Sequence, residues 1–367
     1  MYTLLIAEDD HAYALILEHF LLSLGHKVLI ANNGEQAVEM FKIHQPDLIF
    51  MDVLMPAMDG HQATREIRRL TLGDPVQVPI LFLTAIESEK VLAECLECGG
   101  DDFISKPFST TTLKARLNAW LKKRHMSEEM ARDHRHIARV VENLRRDTRY
   151  YGENLRTITC PMAQVSGDLI LSAKRHDGTQ LIAVVDFTGH GLSAAICGPL
   201  ISHAFYTHFL AHIETTALLF ILNELLCHKL PEGMFMAAHF VELSPDQRQM
   251  RLWNFGMPAC VHIDGSQIFL YGKHLLPMGI HEMTPQSMVC TVQPINKGSR
   301  LYLFSDGVNT LVAYDSESQY MEDIHCFLRA CFEEGQTPPL PDQPTLSTGC
   351  TAPIKDDITI AEITLTA

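Results

Sequence analysis

A chain of 367 residues with 47% apolar content can bury two sizeable cores and is too apolar to be disordered. Its formal net charge of −15 argues against nucleic acid as the main partner. No run approaches the ~18 apolar residues of a membrane span, and Met1-Tyr2-Thr3 leads into a strand without a basic leader, so no membrane partner is expected. The ten scattered cysteines then read as reduced thiols in a cytoplasmic protein.

In the first third, short apolar runs close on chemically useful residues. Leu4 to Ala7 closes on Glu8-Asp9, and Leu48 to Met51 closes on Asp52. Pro79 to Leu83 closes on Thr84, and Asp102 to Ser105 precedes Lys106-Pro107. Such runs suit central strands of a parallel sheet, buried on both faces. Amphipathic stretches of helix length lie between them, at about 11–24, 34–43, 60–70, 87–98 and 109–123. Strand alternating with helix predicts a doubly wound α/β domain, whose ligands bind at the carboxyl ends of the strands. That edge would collect three carboxylates, a hydroxyl and an ammonium. Crowded carboxylates repel, a divalent cation relieves the repulsion, and Mg²⁺ prefers such hard oxygens.

Glu8-Asp9, Asp52, Met55-Pro56 with Asp59-Gly60, Thr84-Ala85 and Lys106-Pro107-Phe108 stand in one particular order and spacing. With them, residues 1–123 resemble the response-regulator receiver family, which has a flavodoxin-like fold. The resemblance implies Mg²⁺ held by Glu8, Asp9, Asp52 and the Leu54 carbonyl. It implies Asp52 as the phosphoacceptor, served by an upstream histidine kinase or phosphotransfer protein. Lys106 and Mg²⁺ would neutralise charge on the transferred oxygens, and Thr84 would bond one of them. Phe103 takes the family's aromatic switch position. Cys95-Leu96-Glu97-Cys98 is formally a C-x-x-C, but without a second pair it reads as two small packed residues.

Residues 124–152 read as a helical linker between a first domain, 1–123, and a second, 153–367. After a helix from Thr111 to Lys123, the helical pattern resumes at Ser127 with no Pro or Gly before Gly152. Met130, Ile137, Val140 and Leu144 fit a heptad seam broken at Asp133 and Asp147. The helix over 127–150 reads either as a lever that pairs two subunits or carries the receiver signal, or as a helix packed on its own domain. Arg135, Arg139, Arg145 and Arg146 alternate with acids and read as a solvated face.

From Tyr151 strands are joined by tight polar turns. Ala237 to Leu243 and Met250 to Phe255 flank the turn 244–247, and Ala259 to Ile263 and Ile268 to Tyr271 flank Asp264-Gly265, so both read as hairpins. Helices are expected at about 191–211 and 215–229, giving an α+β layered domain. The Pro- and Thr-rich stretch from Gly335 to Gly349 reads as a surface loop. Acidic residues mark the strand ends: Asp168 after Val165-Ser166-Gly167, Asp186 after Leu181 to Val185, Asp306 after Leu301 to Ser305, and Asp356-Asp357 before Ile358. Carboxylates gathered in this way suit hard cations such as Mg²⁺ or Mn²⁺.

Ser166-Gly167-Asp168, Asp186-x-x-Gly189-His190-Gly191-x-x-Ala194-Ala195, Phe304-Ser305-Asp306-Gly307-Val308 and Asp356-Asp357-x-Thr359 together resemble the SpoIIE-type protein phosphatases of the PP2C superfamily. The resemblance covers about 155–367 and implies an αββα sandwich holding two Mn²⁺ or Mg²⁺ ions. Asp186 would bridge them with help from the Phe187 carbonyl, and Asp168, Asp306 and Asp356 would complete the set. His190 reads as a local structural residue. Two departures stand out: Leu171 occupies a position that many members give to a second Asp, and Asn254-Phe255-Gly256-Met257 replaces the family's Ala-Gly-His segment. The function implied is a response regulator whose output is a metal-dependent serine/threonine phosphatase, acting on a phosphorylated anti-sigma-factor antagonist. The alternative is a phosphorylation-controlled adaptor in a sigma-factor pathway, with little or no catalysis.

Overall fold

Alternation of side chains along four-residue apolar runs explains the first sheet in the computed structural model. The structure describes residues 1–85, 89–162, 165–272, 275–311, 317–332 and 356–365, and the chain divides into two units, Met1–His134 and Arg135–Ala367. The stretch from Gly335 to Gly349 lies outside the described residues.

In the first unit, β1 (Thr3–Ala7), β2 (Lys27–Ala31), β3 (Leu48–Asp52), β4 (Ile80–Thr84) and β5 (Asp102–Ser105) form a parallel sheet in the order β2-β1-β3-β4-β5. Its helices are α1 (His11–Ser23), α2 (Gly34–His44), α3 (Gly60–Leu70), α4 (Glu89–Glu97) and the start of α5 (Thr110–Arg145). Leu5, Ile49, Met51, Ile80 and Phe82 pack towards Phe41 of α2 and Ile67 of α3. Leu4, Ile6, Leu48, Phe50 and Leu81 pack towards Leu17 of α1 and Leu113, Leu117 and Leu121 of α5. Both faces are therefore buried, which is why these strands are continuously apolar. Asp10, Asn33 and Asp59 cap α1, α2 and α3 by accepting backbone N–H groups of their first turns, and Asp59 does so in a capping box with Gln62.

No Pro or Gly interrupts residues 110–145, and the expected gap near Arg124 is absent: α5 is one helix of 36 residues. Its heptad residues Met130, Ile137, Val140 and Leu144 are exposed. The face that packs instead carries Ala138 and Val141, against Val165 and Ala195.

The second unit stacks two antiparallel sheets. The first contains β7 (Leu169–Lys174), β8 (Gln180–Phe187), β9 (Met236–Leu243), β10 (Gln249–Phe255) and β13 (Thr291–Pro294), in the order β13-β10-β9-β8-β7. The second contains β6 (Leu155–Cys160), β11 (Cys260–Asp264), β12 (Gln267–Tyr271), β14 (Arg300–Phe304) and β15 (Ile358–Thr364), in the order β12-β11-β14-β15-β6. Ile182, Val184, Val241 and Leu252 meet Leu301, Leu303, Ala361 and Ile363 between the sheets. Helices α7 (Gly198–Leu210) and α8 (Thr215–Lys229) cover the outside of the first sheet, and α9 (Glu317–Phe332) covers the second. Both expected hairpins form. The helix expected over 191–211 is split into α6 (Leu192–Ala195) and α7, because Pro199 has no N–H to continue a helix and sits in the first turn of a new one. No helix among the described residues is long and apolar enough to cross a membrane.

Candidate functional site

Parallel register delivers the first unit's polar residues to one edge. Ala7 pairs with Met51, so Glu8 and Asp52 follow at the same level, while Asp52 pairs with Leu83 and Thr84 with Ser105, so Thr84 stands one residue and Lys106 two residues further out at the same edge. The carboxylate oxygens of Glu8, Asp9 and Asp52 lie within 4.8 Å of one another. Lys106 Nζ donates to Glu8 Oε2 at 2.5 Å and to Asp52 Oδ2 at 2.8 Å. Burial pushes Glu8 up to about 7, Lys106 opposes the shift and Asp52 adds to it. Burial disfavours the Lys106 cation, but its hydrogen bonds to Asp52 and Glu8 outweigh this and raise its pKa. Glu8 Oε1 is buried without a hydrogen-bond partner. An orphaned oxygen within a trio of carboxylates fits a divalent cation. Thr84 is buried, the Leu54 side chain is exposed beside Asp52, and Phe103 lies near the Arg116 guanidinium. Gly60 is required here, since a Cβ would run into the Asp52 carbonyl.

Antiparallel register does the equivalent work in the second unit. Leu169 pairs with Val185, which sets Asp168, just before β7, beside Asp186 at the end of β8. Phe304 pairs with Ile360, and the Ser305 N–H donates to Thr359 O, which brings Asp306 near the Asp356-Asp357 pair. The carboxylates grade from inside to out: Asp168 is 4% exposed, Asp186 and Asp356 are half-buried, and Asp306 is exposed. Burial, then the charges of Asp168, Asp306 and Asp356, push Asp186 up to about 9. Burial pushes Asp168 up to about 6, and Asp357 adds to it. The Ser305 and Thr359 hydroxyls and the Asp186 carboxyl lie close enough to oppose that shift, yet neither Asp168 oxygen meets hydrogen-bond geometry. Sealed carboxylate oxygens without partners, among three further carboxylates, fit hard divalent cations. Among the described residues, only the first unit's trio reaches the 4.8 Å spacing.

Several details lay beyond the sequence. Asp357 accepts from the Met162 N–H at 2.7 Å and the Gly167 N–H at 2.6 Å, tying β15 to the loop before Asp168. The doubled Asp was the visible signal, but its partners are 190 residues or more away. Arg145, expected on a solvated face, is buried, and its guanidinium donates to the Ser166 and Asp168 carbonyls. Leu171 is 1% exposed and lies in the core under α7 and α8, with Val185 and Phe187, whereas Asp186 alternates with these on the other face of β8. Asn254 is buried and donates to the Met257, Pro258 and Gly272 carbonyls, so it knits a turn. His190 is exposed between Gly189 and Gly191, both at positive φ. The Cys98 thiol donates to the Cys95 carbonyl, and both residues are buried.

The first unit thus has the sheet and acidic edge of a response-regulator receiver domain, and residues 4–118 match that family. Residues 176–365, just over half of the chain, match Stage II sporulation protein E (SpoIIE), and the chain belongs to this PP2C-type phosphatase family. Among curated proteins it is similar to the alkaline phosphatase synthesis transcriptional regulatory protein PhoP of Bacillus subtilis. Identity is 31% over 183 residues, covering 48% of this chain and 74% of that protein. It is also similar to the transcriptional regulatory protein AfsQ1 of Streptomyces coelicolor, 38% identical over 123 residues, covering 34% of this chain and 52% of that protein. Apart from PhoP, the chain spans about half the length of these curated relatives. Among solved structures it is similar to the receiver domain of a sensor histidine kinase from Pseudomonas aeruginosa, with magnesium in its active-site cleft. That match has 36% identity and a TM-score of 0.31, and covers 33% of this chain and 98% of that one.

Proposed function

We propose that the protein is a two-component response regulator in which phosphorylation of Asp52 controls a metal-dependent protein-serine/threonine phosphatase. One observation carries the phosphatase half: Asp168 is buried without hydrogen-bond partners among Asp186, Asp306 and Asp356, and their mutual repulsion calls for cations.

In the receiver, Glu8, Asp9, Asp52 and the Leu54 carbonyl would hold Mg²⁺. An Asp52 oxygen attacks the phosphoryl group of a phosphohistidine on an upstream kinase or phosphotransfer protein. The P–N bond breaks as the P–O bond forms. Lys106, already 2.8 Å from Asp52, balances charge on the transferred oxygens, and Thr84 supplies a hydroxyl to one of them. In the phosphatase, Asp168, Asp186, Asp306, Asp356 and the Phe187 carbonyl would hold two Mn²⁺ or Mg²⁺ ions. When bound, such ions supply Lewis acidity towards phosphoryl oxygens and acidify water. The carboxylates fix positions from four strand ends, and the net reaction is hydrolysis of a phosphoserine or phosphothreonine ester.

The substrate proposed is a phosphorylated anti-sigma-factor antagonist, on the strength of the SpoIIE family resemblance. The joining of a receiver and a SpoIIE domain in one chain supports control by the receiver. A 100-fold change in activity needs about 2.7 kcal/mol between two states, within reach of the charge-assisted bonds a new phosphoryl group makes. The test is phosphate release from such a phosphoprotein with Mn²⁺ or Mg²⁺, with and without beryllofluoride, using Asp186→Asn as blank. Release that needs metal and responds to beryllofluoride is expected. No release from any phosphoprotein tried, with the fold intact, would refute catalysis and leave the adaptor reading.

A further inference from the structure

The loop Val165–Asp168 belongs to no strand, so its backbone groups need partners outside a ladder. Two of its N–H groups have them: Gly167 donates to Asp357 Oδ2, and Asp168 donates to the Ser166 hydroxyl. Its carbonyls turn the other way. Ser166 O accepts from Arg145 Nη1 at 2.6 Å, and Asp168 O accepts from Nη2 of the same guanidinium. Arg145 is the last residue of α5 and 9% exposed. A second feature is cut to fit it. Gly198, opening α7, has no side chain, and a Cβ there would meet Arg145 Nε at 2.9 Å. On this side the loop borders a cavity of about 630 Å³ lined also by Tyr150, Thr157 and Tyr206, while its first residue, Val165, packs on Ala138, Val141 and Ala195.

We propose that Arg145 is the positioning residue for Asp168, its planar fork fixing the two loop carbonyls so that the Asp168 carboxylate faces the cation site without bonds of its own. The inference rests on the reading of Asp168 as a cation ligand. Only a guanidinium offers two parallel donors in a rigid plane to carbonyls two residues apart; Lys offers a point charge. Charge and geometry act in opposite directions here. Loss of a buried cation beside carboxylates would tighten cation binding, whereas loss of the clamp weakens it.

The test measures Mn²⁺ alone on the full chain, by the electron paramagnetic resonance signal of unbound Mn²⁺, with the receiver site silenced by Asp9→Asn throughout. Arg145→Ala is expected to weaken Mn²⁺ binding at least tenfold. Ethylguanidinium, small enough for the cavity, is expected to restore most of it. Arg145→Gln, with a donor for one carbonyl, falls between and decides the matter if Arg145→Ala does not fold. A purely structural role would lower the melting temperature of the metal-free variant without affinity returning on addition of ethylguanidinium. Equal or tighter Mn²⁺ binding in the variants overturns the inference while leaving the carboxylate site standing. No Mn²⁺ on the parent would overturn both.

Discussion

Replacing Asp186 by Asn should make the metal-free protein more stable while removing metal-dependent hydrolysis. Asp186 titrates near 3.8 when unfolded and at about 9 in the fold, because burial and three neighbouring carboxylates oppose its charge. At pH 7 the folded group therefore carries a proton that the unfolded chain does not. The cost is at most ~1.36 kcal/mol for each of the roughly three units between 3.8 and 7, or about 4 kcal/mol. Relaxation and shared protonation with Asp168 reduce this, so a gain of about 2 kcal/mol is expected from the neutral isostere, or ~4–8 °C in the second unit's melting temperature. The sign follows from the raised pKa. The parent loses stability as pH rises from 3.8 towards 9 and Asn does not, so the difference is absent below pH 4 and grows through neutrality. Calorimetry in chelator at several pH values measures it. Adding Mn²⁺ should reverse the order, stabilising the parent and leaving the variant unmoved. A variant less stable than the parent in chelator, or a pH-independent difference, would refute the account of this site.

Three further outcomes follow. Asp52→Asn should abolish the change in phosphate release on adding beryllofluoride, and a response equal to the parent's would remove Asp52 as the acceptor. Lys106→Met should destabilise the Mg²⁺-free first unit by about 3 kcal/mol, since it leaves Glu8 and Asp52 buried without their shared cation, and Mg²⁺ should recover part of the loss. Denaturant midpoints with and without Mg²⁺ read this, and an unchanged midpoint would contradict the tie. Leu171→Asp should cost about 3–5 kcal/mol without raising Mn²⁺ affinity, because that side chain points into the core under α7 and α8. Tighter Mn²⁺ binding would show that the face assignment is wrong.

The acidic edge of the receiver was legible because it is written in strand ends. A buried parallel strand must be apolar throughout, so Glu8, Asp52 and Thr84, the first polar residues after Ala7, Met51 and Leu83, mark the same edge of the sheet to within one residue. Asp168, Asp186, Asp306 and Asp356 were legible for a similar reason, each lying within two residues of an apolar strand. Hairpin turns were readable from local residues such as Asp264-Gly265, and the hairpins they predict form.

What the sequence could not decide depended on which neighbours fill each side of an element. The apolar seam of α5 favours Ile137 and Leu144 by spacing, but Ala138 and Val141 are the residues that meet Val165 and Ala195. Arg145 looked like one more basic residue on a solvated helix, but it is buried where Gly198 leaves it room and two loop carbonyls accept from its guanidinium. Leu171 stands three residues after Asp168, and only the pairing of β7 with β8 shows that it faces away from Asp186. Local sequence determined the strand ends and their chemistry, since backbone periodicity is a property of neighbours along the chain. Tertiary structure decided the positioning groups, since the carbonyls, cavities and glycines that define them come from segments distant in the chain.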